Sequence, residues 1–208
     1  MTYKKNLNIP GWNQEEILNV IGKFSAEVPE NGKILEMGAL FGRTTYTIGH
    51  SKHPSVSLTT IDCWPNLVFH TWPDHRYYDR HSGEHELNLI KSHISGIPST
   101  LSTGDFYKLW AHFTEGIPNL TGIHTHTSVA NNDYPMYDLI IHDAAHDYDG
   151  VYADLVHWFP KLKPGCPMII DDYDIEWDGL MRAVDRFVAE NNIETEKVTH
   201  RNILLKGK

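Results

Sequence analysis

Between Lys33 and Thr45 the chain reads KILEMGALFGRTT. The apolar pair Ile34-Leu35 reads as the end of a buried strand that closes on Glu36. Two glycines, Gly38 and Gly42, then precede a run of helical character from Arg43 to Ile48. Strand, glycine turn and helix in this order let a backbone approach a ligand closely at the carboxyl end of a parallel sheet. A Cβ at the turn would obstruct both the turn and the ligand. This one stretch therefore commits the chain to an α/β arrangement and marks where its cleft should lie.

The rest of the chain agrees with that commitment. Residues 55–62, SVSLTTID, are β-branched and end in Asp62, so the first unit is β-α-β. An acid at the end of the second strand can accept hydrogen bonds from both hydroxyls of a ribose. Upstream, residues 13–28 place Ile17, Val20, Ile21 and Phe24 at helical spacing, with Asn13 as the expected N-cap. In the second half, MYDLIIHDAAH (136–146) holds a buried strand that runs into His142 and Asp143. Residues 149–162 read as a helix with Val151, Leu155, Val156 and Phe159 inward. KPGCPMIIDDYD (163–174) turns into a strand ending in Asp171-Asp172, 179–191 form an amphipathic helix, and the tail suggests an antiparallel pair around Arg201-Asn202. Strands alternating with helices argue a Rossmann-like, doubly wound, mostly parallel sheet with an antiparallel C-terminal strand.

The expected domain organisation is a single domain over 1–208, with 64–125 as a variable, substrate-facing insertion. Its first part, Trp64 to His85, is rich in His, Trp, Tyr, Asp and Pro, as lids often are, and Trp64, Trp72, Tyr77 and Tyr78 could cover a bound ring. An ordinary packed loop is the rival reading. Residues 99–122 suggest one short helix around Phe106 to Phe113. The pattern His81-x-x-Glu84-His85 matches an inverted zinc-peptidase motif, but Gly83 weakens the helix it needs. Among fourteen histidines, chance suffices to explain it.

Composition narrows the function classes. Acidic residues outnumber basic ones 27 to 18, for a formal charge of −9. That argues against a broad nucleic-acid interface. No apolar run approaches the roughly 20 residues that cross a bilayer. The first residues lack the apolar stretch of a secretory leader. With two distant cysteines, Cys63 and Cys166, expected as reduced thiols, the reading is a cytoplasmic protein acting on small molecules, with homo-oligomerisation left open.

Parallel strands share one carboxyl edge, which would carry Glu36, Asp62, Asp143, Asp171 and Asp172. The first two suit a nucleoside-bearing ligand. The last three could converge as oxygen ligands for magnesium or a similar ion, because uncompensated carboxylates in one cleft repel. Alternatively, one or more of them caps the next helix.

ILEMGALFGRTT, LTTIDCW and YDLIIHDAAHDYDGVYADLVHWFPKLKPGCPMIIDDYD together resemble the class I S-adenosylmethionine-dependent methyltransferases. More narrowly, they are similar to the branch of macrolide and aminocoumarin sugar O-methyltransferases and cephalosporin-hydroxylase-like proteins. The resemblance implies O-methylation of a small hydroxylated acceptor with S-adenosyl-L-methionine as cofactor. Glu36, Gly38 and Gly42 would cradle its amino-acid part and Asp62 its ribose, with Thr127-Ser128 near the adenine. It also implies magnesium at Asp143, Asp171 and Asp172, so that Asp143 borders cofactor, metal and acceptor alike. His146 is the candidate general base, with Asp143 its rival; His142, if still in the strand, faces the other way. The chain departs from the family in two places. Leu40 stands where many such loops have a central glycine, and Cys166 where Leu-Lys-Pro-Gly usually continues with glycine. Two other classes remain: a cofactor-binding module without catalysis, and an NAD-dependent dehydrogenase, whose Gly-x-Gly-x-x-Gly order fits this loop poorly.

Overall fold

The computed structural model describes residues 3–9, 11–64, 103–127 and 133–208. Seven strands form one sheet: β1 (Lys33–Met37), β2 (Ser57–Asp62), β3 (Leu120–His124), β4 (Leu139–His142), β5 (Pro167–Ile170), β6 (Thr195–Lys197) and β7 (Ile203–Lys206). Their order is β3-β2-β1-β4-β5-β7-β6. β3, β2, β1, β4 and β5 pair in parallel, and β7 runs antiparallel between β5 and β6. This is the doubly wound sheet with an antiparallel C-terminal strand that the sequence predicts. The described helices are α1 (Glu15–Glu27), α2 (Arg43–Ser51), α3 (Thr103–Phe113), α4 (Tyr148–Trp158) and α5 (Asp178–Asn191). None of them is long and apolar enough to cross a membrane.

Both faces of the sheet are covered, which is why β4 reads as an unbroken apolar run. Ile34, Leu58, Leu139, Ile141 and Ile169 pack against α1 and α2 through Ile17, Ile21 and Ile48. Leu35, Ile61, Ile140, Met168 and Ile170 face α4 and α5 through Val151, Leu155, Trp158, Leu180 and Phe187. His142, last in β4, points to the α4 side, where its Nε2 meets Asp154 Oδ2 at 3.1 Å with both side chains out of solvent. The next residue, Asp143, turns to the opposite side of the strand end.

Several local expectations change. Val156 is 50% exposed rather than inward, because the buried stripe of the helix runs through Val151, Leu155 and Trp158 and Val156 is turned about 100° away from Leu155. Residues 120–124, expected inside the variable segment, form the edge strand β3. Trp64 is no cover over a ligand. It is fully buried, its ring centre lies 4.8 Å from that of Trp110, and its Nε1 donates to the Leu40 carbonyl at 2.9 Å. The rest of the candidate lid and the His81–His85 motif lie outside the described residues. Cys63 and Cys166 are both free thiols.

Glu36 braces the sheet under the glycine loop. Its Oε2 accepts from Thr45 of α2 and Thr60 of β2, each at 2.7 Å, and Thr45 in turn accepts from Trp110 Nε1 at 3.1 Å. Its Oε1 has no partner among the described residues. Burial pushes the carboxyl up to about 8 against the two hydroxyl bonds, with Asp62 adding repulsion, so the group is neutral at pH 7.

These buried groups make stability sensitive to pH and to single substitutions. The unfolded chain releases the Glu36 proton near the ordinary 4.5 and the folded chain near 8. Folded stability should therefore fall as pH rises through this window, by at most about 1.4 kcal/mol per pH unit, and level off above it. Glu36→Gln, neutral at every pH, should flatten that dependence in urea unfolding, whereas parallel curves would mean that Glu36 is charged in the fold. Asp154→Ala should cost about 3 kcal/mol in the same assay by stranding the His142 imidazole.

Candidate functional site

The chain runs β1, β2, β3 to one side and returns to β4 on the other side of β1, so the strand order reverses between β1 and β4. A crevice opens at the carboxyl ends of strands at such a point. Here it is a cleft of about 320 Å³. Its floor is the contact between the two strand ends. Asp143 N donates to Met37 O at 2.8 Å, and a Cβ on Gly38 (φ +82°) would stand 1.8 Å from the Asp143 carbonyl oxygen. Only glycine fits there. Gly42 is the left-handed N-cap of α2 (φ 94°). Between them Leu40 also takes a left-handed backbone (φ 48°), at a cost of about 1 kcal/mol. Its main chain is pinned on both sides, by Asp62 at the amide and Trp64 at the carbonyl.

Asp62 organises this loop. Its Oδ2 accepts from the amides of Ala39 (2.6 Å) and Leu40 (2.8 Å), and its Oδ1 from Trp64 N (2.7 Å). The residue still lines the cleft, together with Gly38 and Thr127. Glu36 sits beneath the loop, fully buried, and does not line the cleft. Ser128 lies outside the described residues.

The other wall is acidic. Asp143, Asp171 and Asp172 all line it. Burial and the nearby Asp171 and Asp172 charges push the Asp143 carboxyl well above the ordinary carboxylate range, and an Asn13 bond to its Oδ2 at 3.0 Å offsets only part of this. Asp171 is pushed up to about 6, by burial and then by Asp172, although Asp172 N (2.8 Å) and Asn202 Nδ2 both donate to its Oδ1. Asp172 goes the other way. Burial alone would raise it, but His146 Nε2 at 3.1 Å and Arg201 Nη2 at 2.5 Å hold it below the ordinary value. The Asp172 carboxylate thus has a fixed counterion in Arg201 while its two neighbours resist ionising. A divalent cation would resolve that imbalance, so the donor set fits one.

Among the described residues, Asp143, His146 and Asp172 bring donor atoms within 4.8 Å of one another. Asp171, which the sequence places beside Asp143 and Asp172, lines the same wall, with its Oδ1 engaged by Asn202 and the Asp172 amide. The ring of His146 also packs against Trp177 at 4.4 Å.

Sequence reasoning missed Asn13, Trp12, Trp177 and Arg201 as cleft residues. Asn13 looked like a helix cap, but Gln14 holds that position and the Asn13 side chain crosses to Thr44 and Asp143. Arg201 looked like turn punctuation. No local pattern marks either one, since each partner is distant in sequence.

The comparisons with known proteins agree with this geometry. The family model described as a methyltransferase domain matches residues 35–173. No curated protein matches the chain. Among solved structures, the O-methyltransferase NovP superposes with a TM-score of 0.63 at 14% identity, over 92% of this chain and 79% of that one. CalS11, a calicheamicin methyltransferase, gives 0.59 at 16% identity over 91% and 77%. An O-methyltransferase from Bacillus cereus in complex with SAH gives 0.52 at 15% identity over 97% and 85%. With the family model spanning well over half of it and this sheet order beneath the cleft, the chain belongs to the methyltransferase-domain family and carries the class I methyltransferase fold.

Proposed function

We propose that this enzyme methylates a hydroxyl of a small acceptor, using S-adenosyl-L-methionine and a divalent cation, magnesium. The observation that carries the reading is that the glycine loop and the acidic wall meet in one cleft, at the junction of Gly38 with Asp143. Gly38 and Gly42 would admit the amino-acid part of the cofactor, and Asp62 would hold its ribose while keeping the loop in shape. Glu36 would act from below, as the neutral brace of that loop.

S-adenosyl-L-methionine supplies a methyl group on a sulfonium, and the C–S electron pair stays on sulfur as the acceptor oxygen forms its bond to carbon. The chain's part is to align that oxygen, exclude water and take the acceptor's proton. His146, set against Asp172 and Trp177, is the candidate base, with Asp143 the alternative. Asp143 and Asp172 would hold the cation, and either Asp171 or His146 would complete the set. Bound there, magnesium would supply Lewis acidity that lowers the acceptor hydroxyl's pKa. If His146 is a ligand, its coordinated nitrogen cannot also serve as base, and the proton would pass to whichever Asp143 carboxylate oxygen the ion leaves free.

Calorimetric titration with S-adenosylhomocysteine should show binding in the range of about 1 μM to 100 μM, and Gly38→Ala should abolish it. No binding to the wild type would reject the cofactor. In a magnesium titration Asp172→Asn should lose the ion. Comparing Asp171→Asn with His146→Ala then identifies the third ligand as whichever variant loses affinity by about tenfold or more. Retained affinity in Asp172→Asn would reject the metal assignment.

A further inference from the structure

The segment before α1, anchored by Lys5 on Glu15 and Asn19 and by the buried Ile9, is gathered beside the cleft by Arg43. Arg43, the first residue of α2, donates from Nε to Ile9 O (2.7 Å), from Nη1 to Asn13 O (3.0 Å) and from Nη2 to Leu7 O (3.3 Å). A planar guanidinium holds its donors in a fixed fork spread over three nitrogens, so it can span three separate carbonyls of one strap, whereas an ammonium's three donors sit on one nitrogen. The strap ends in Asn13, whose side chain enters the cleft at the meeting point of the glycine loop and the acidic wall. Its Nδ2 donates to Thr44 Oγ1 at 2.7 Å and to Asp143 Oδ2 at 3.0 Å. Both amide hydrogens are thereby used, and the carboxamide oxygen remains as an acceptor on a residue that lines the cleft.

The surroundings select the chemistry that this oxygen would meet. Asp143 lies beside it, its Oδ2 already taking the Asn13 amide at 3.0 Å. The N-terminus of α2 begins one residue before Thr44, with no side-chain cap and no acid in its first turn. A group carrying an ammonium and a carboxylate on one carbon satisfies both ends. The ammonium donates to the Asn13 oxygen and the Asp143 carboxylate, and the carboxylate meets the positive end of the helix.

Resting on the S-adenosyl-L-methionine reading above, we propose that Asn13 binds the amino-acid end of the cofactor and that Arg43 is the positioning residue that delivers it. Two ligands separate this role from general support of the cleft. S-adenosylhomocysteine carries the amino-acid end, while methylthioadenosine keeps the adenosine and the thioether and lacks it. In calorimetric titrations Asn13→Ala should weaken S-adenosylhomocysteine by about tenfold or more and leave methylthioadenosine within about twofold. Arg43→Lys keeps the charge but loses the fork. It should give the same selective loss and should speed amide hydrogen exchange over residues 7–13 relative to the β1 and β4 amides.

Equal losses for both ligands in Asn13→Ala, or no loss for either, would overturn the assignment while leaving the cofactor reading intact. Unchanged exchange of the strap in Arg43→Lys would overturn the positioning role. A wild type that binds neither ligand would remove the cofactor reading itself, and this assignment with it.

Discussion

The cleft depends on the main chain of Gly38 lying directly against the main chain of Asp143. β1 and β4 are neighbours in the sheet, and both strands end at this contact, so any side chain at position 38 would push the strand ends apart. With the two backbones touching, the glycine loop and the acidic wall become two sides of one cavity. Asp62 then shapes the loop through three backbone amides, and Glu36 ties the elements below it together. A buried neutral acid in that position joins helix to strand without placing another charge under a cleft that already holds several.

Electrostatics give the two walls different characters. On the loop side, carboxylates are committed to structure: Asp62 to amides, Glu36 to hydroxyls. On the acidic side they are left in surplus, since His146 and Arg201 satisfy Asp172 while Asp143 and Asp171 stay burdened by burial and by each other. A ligand or ion that brings positive charge is therefore favoured at one end of the cleft. The same imbalance explains why Asn13, an uncharged donor, is the strap residue that reaches Asp143. A carboxylate there would worsen the repulsion, and a fixed cation would fill the place that a bound group needs.

Much of this was legible along the chain. Alternating strands and helices can be read from apolar runs bounded by Gly, Pro and acids, because burial on both faces of a parallel sheet demands such runs. The glycine turn at 38–42 could be read because backbone geometry with positive φ leaves a mark in residue type. Leu40 was harder, since its left-handed backbone is sustained by two distant partners rather than by its own side chain. The edge strand at 120–124 escaped because its pattern is weak and half-polar, and its pairing with β2 is what makes it a strand. Val156 was misplaced because apolar character alone does not say which of two adjacent apolar residues, Leu155 or Val156, the packing turns inward.

The sequence by itself determined the layer architecture, the strand ends that bear acids, and the residues whose type alone restricts the backbone. Those are local properties: hydrophobic periodicity, φ preference and the order of elements. Only the tertiary structure decided which acids share one cavity, that His146 brings a donor atom within 4.8 Å of those of Asp143 and Asp172, and that Asn13 and Arg201 belong to the cleft. These facts rest on contacts between residues as much as 130 positions apart, and on desolvation, which depends on everything packed around a group. Neither leaves a trace in the neighbouring residues of the chain.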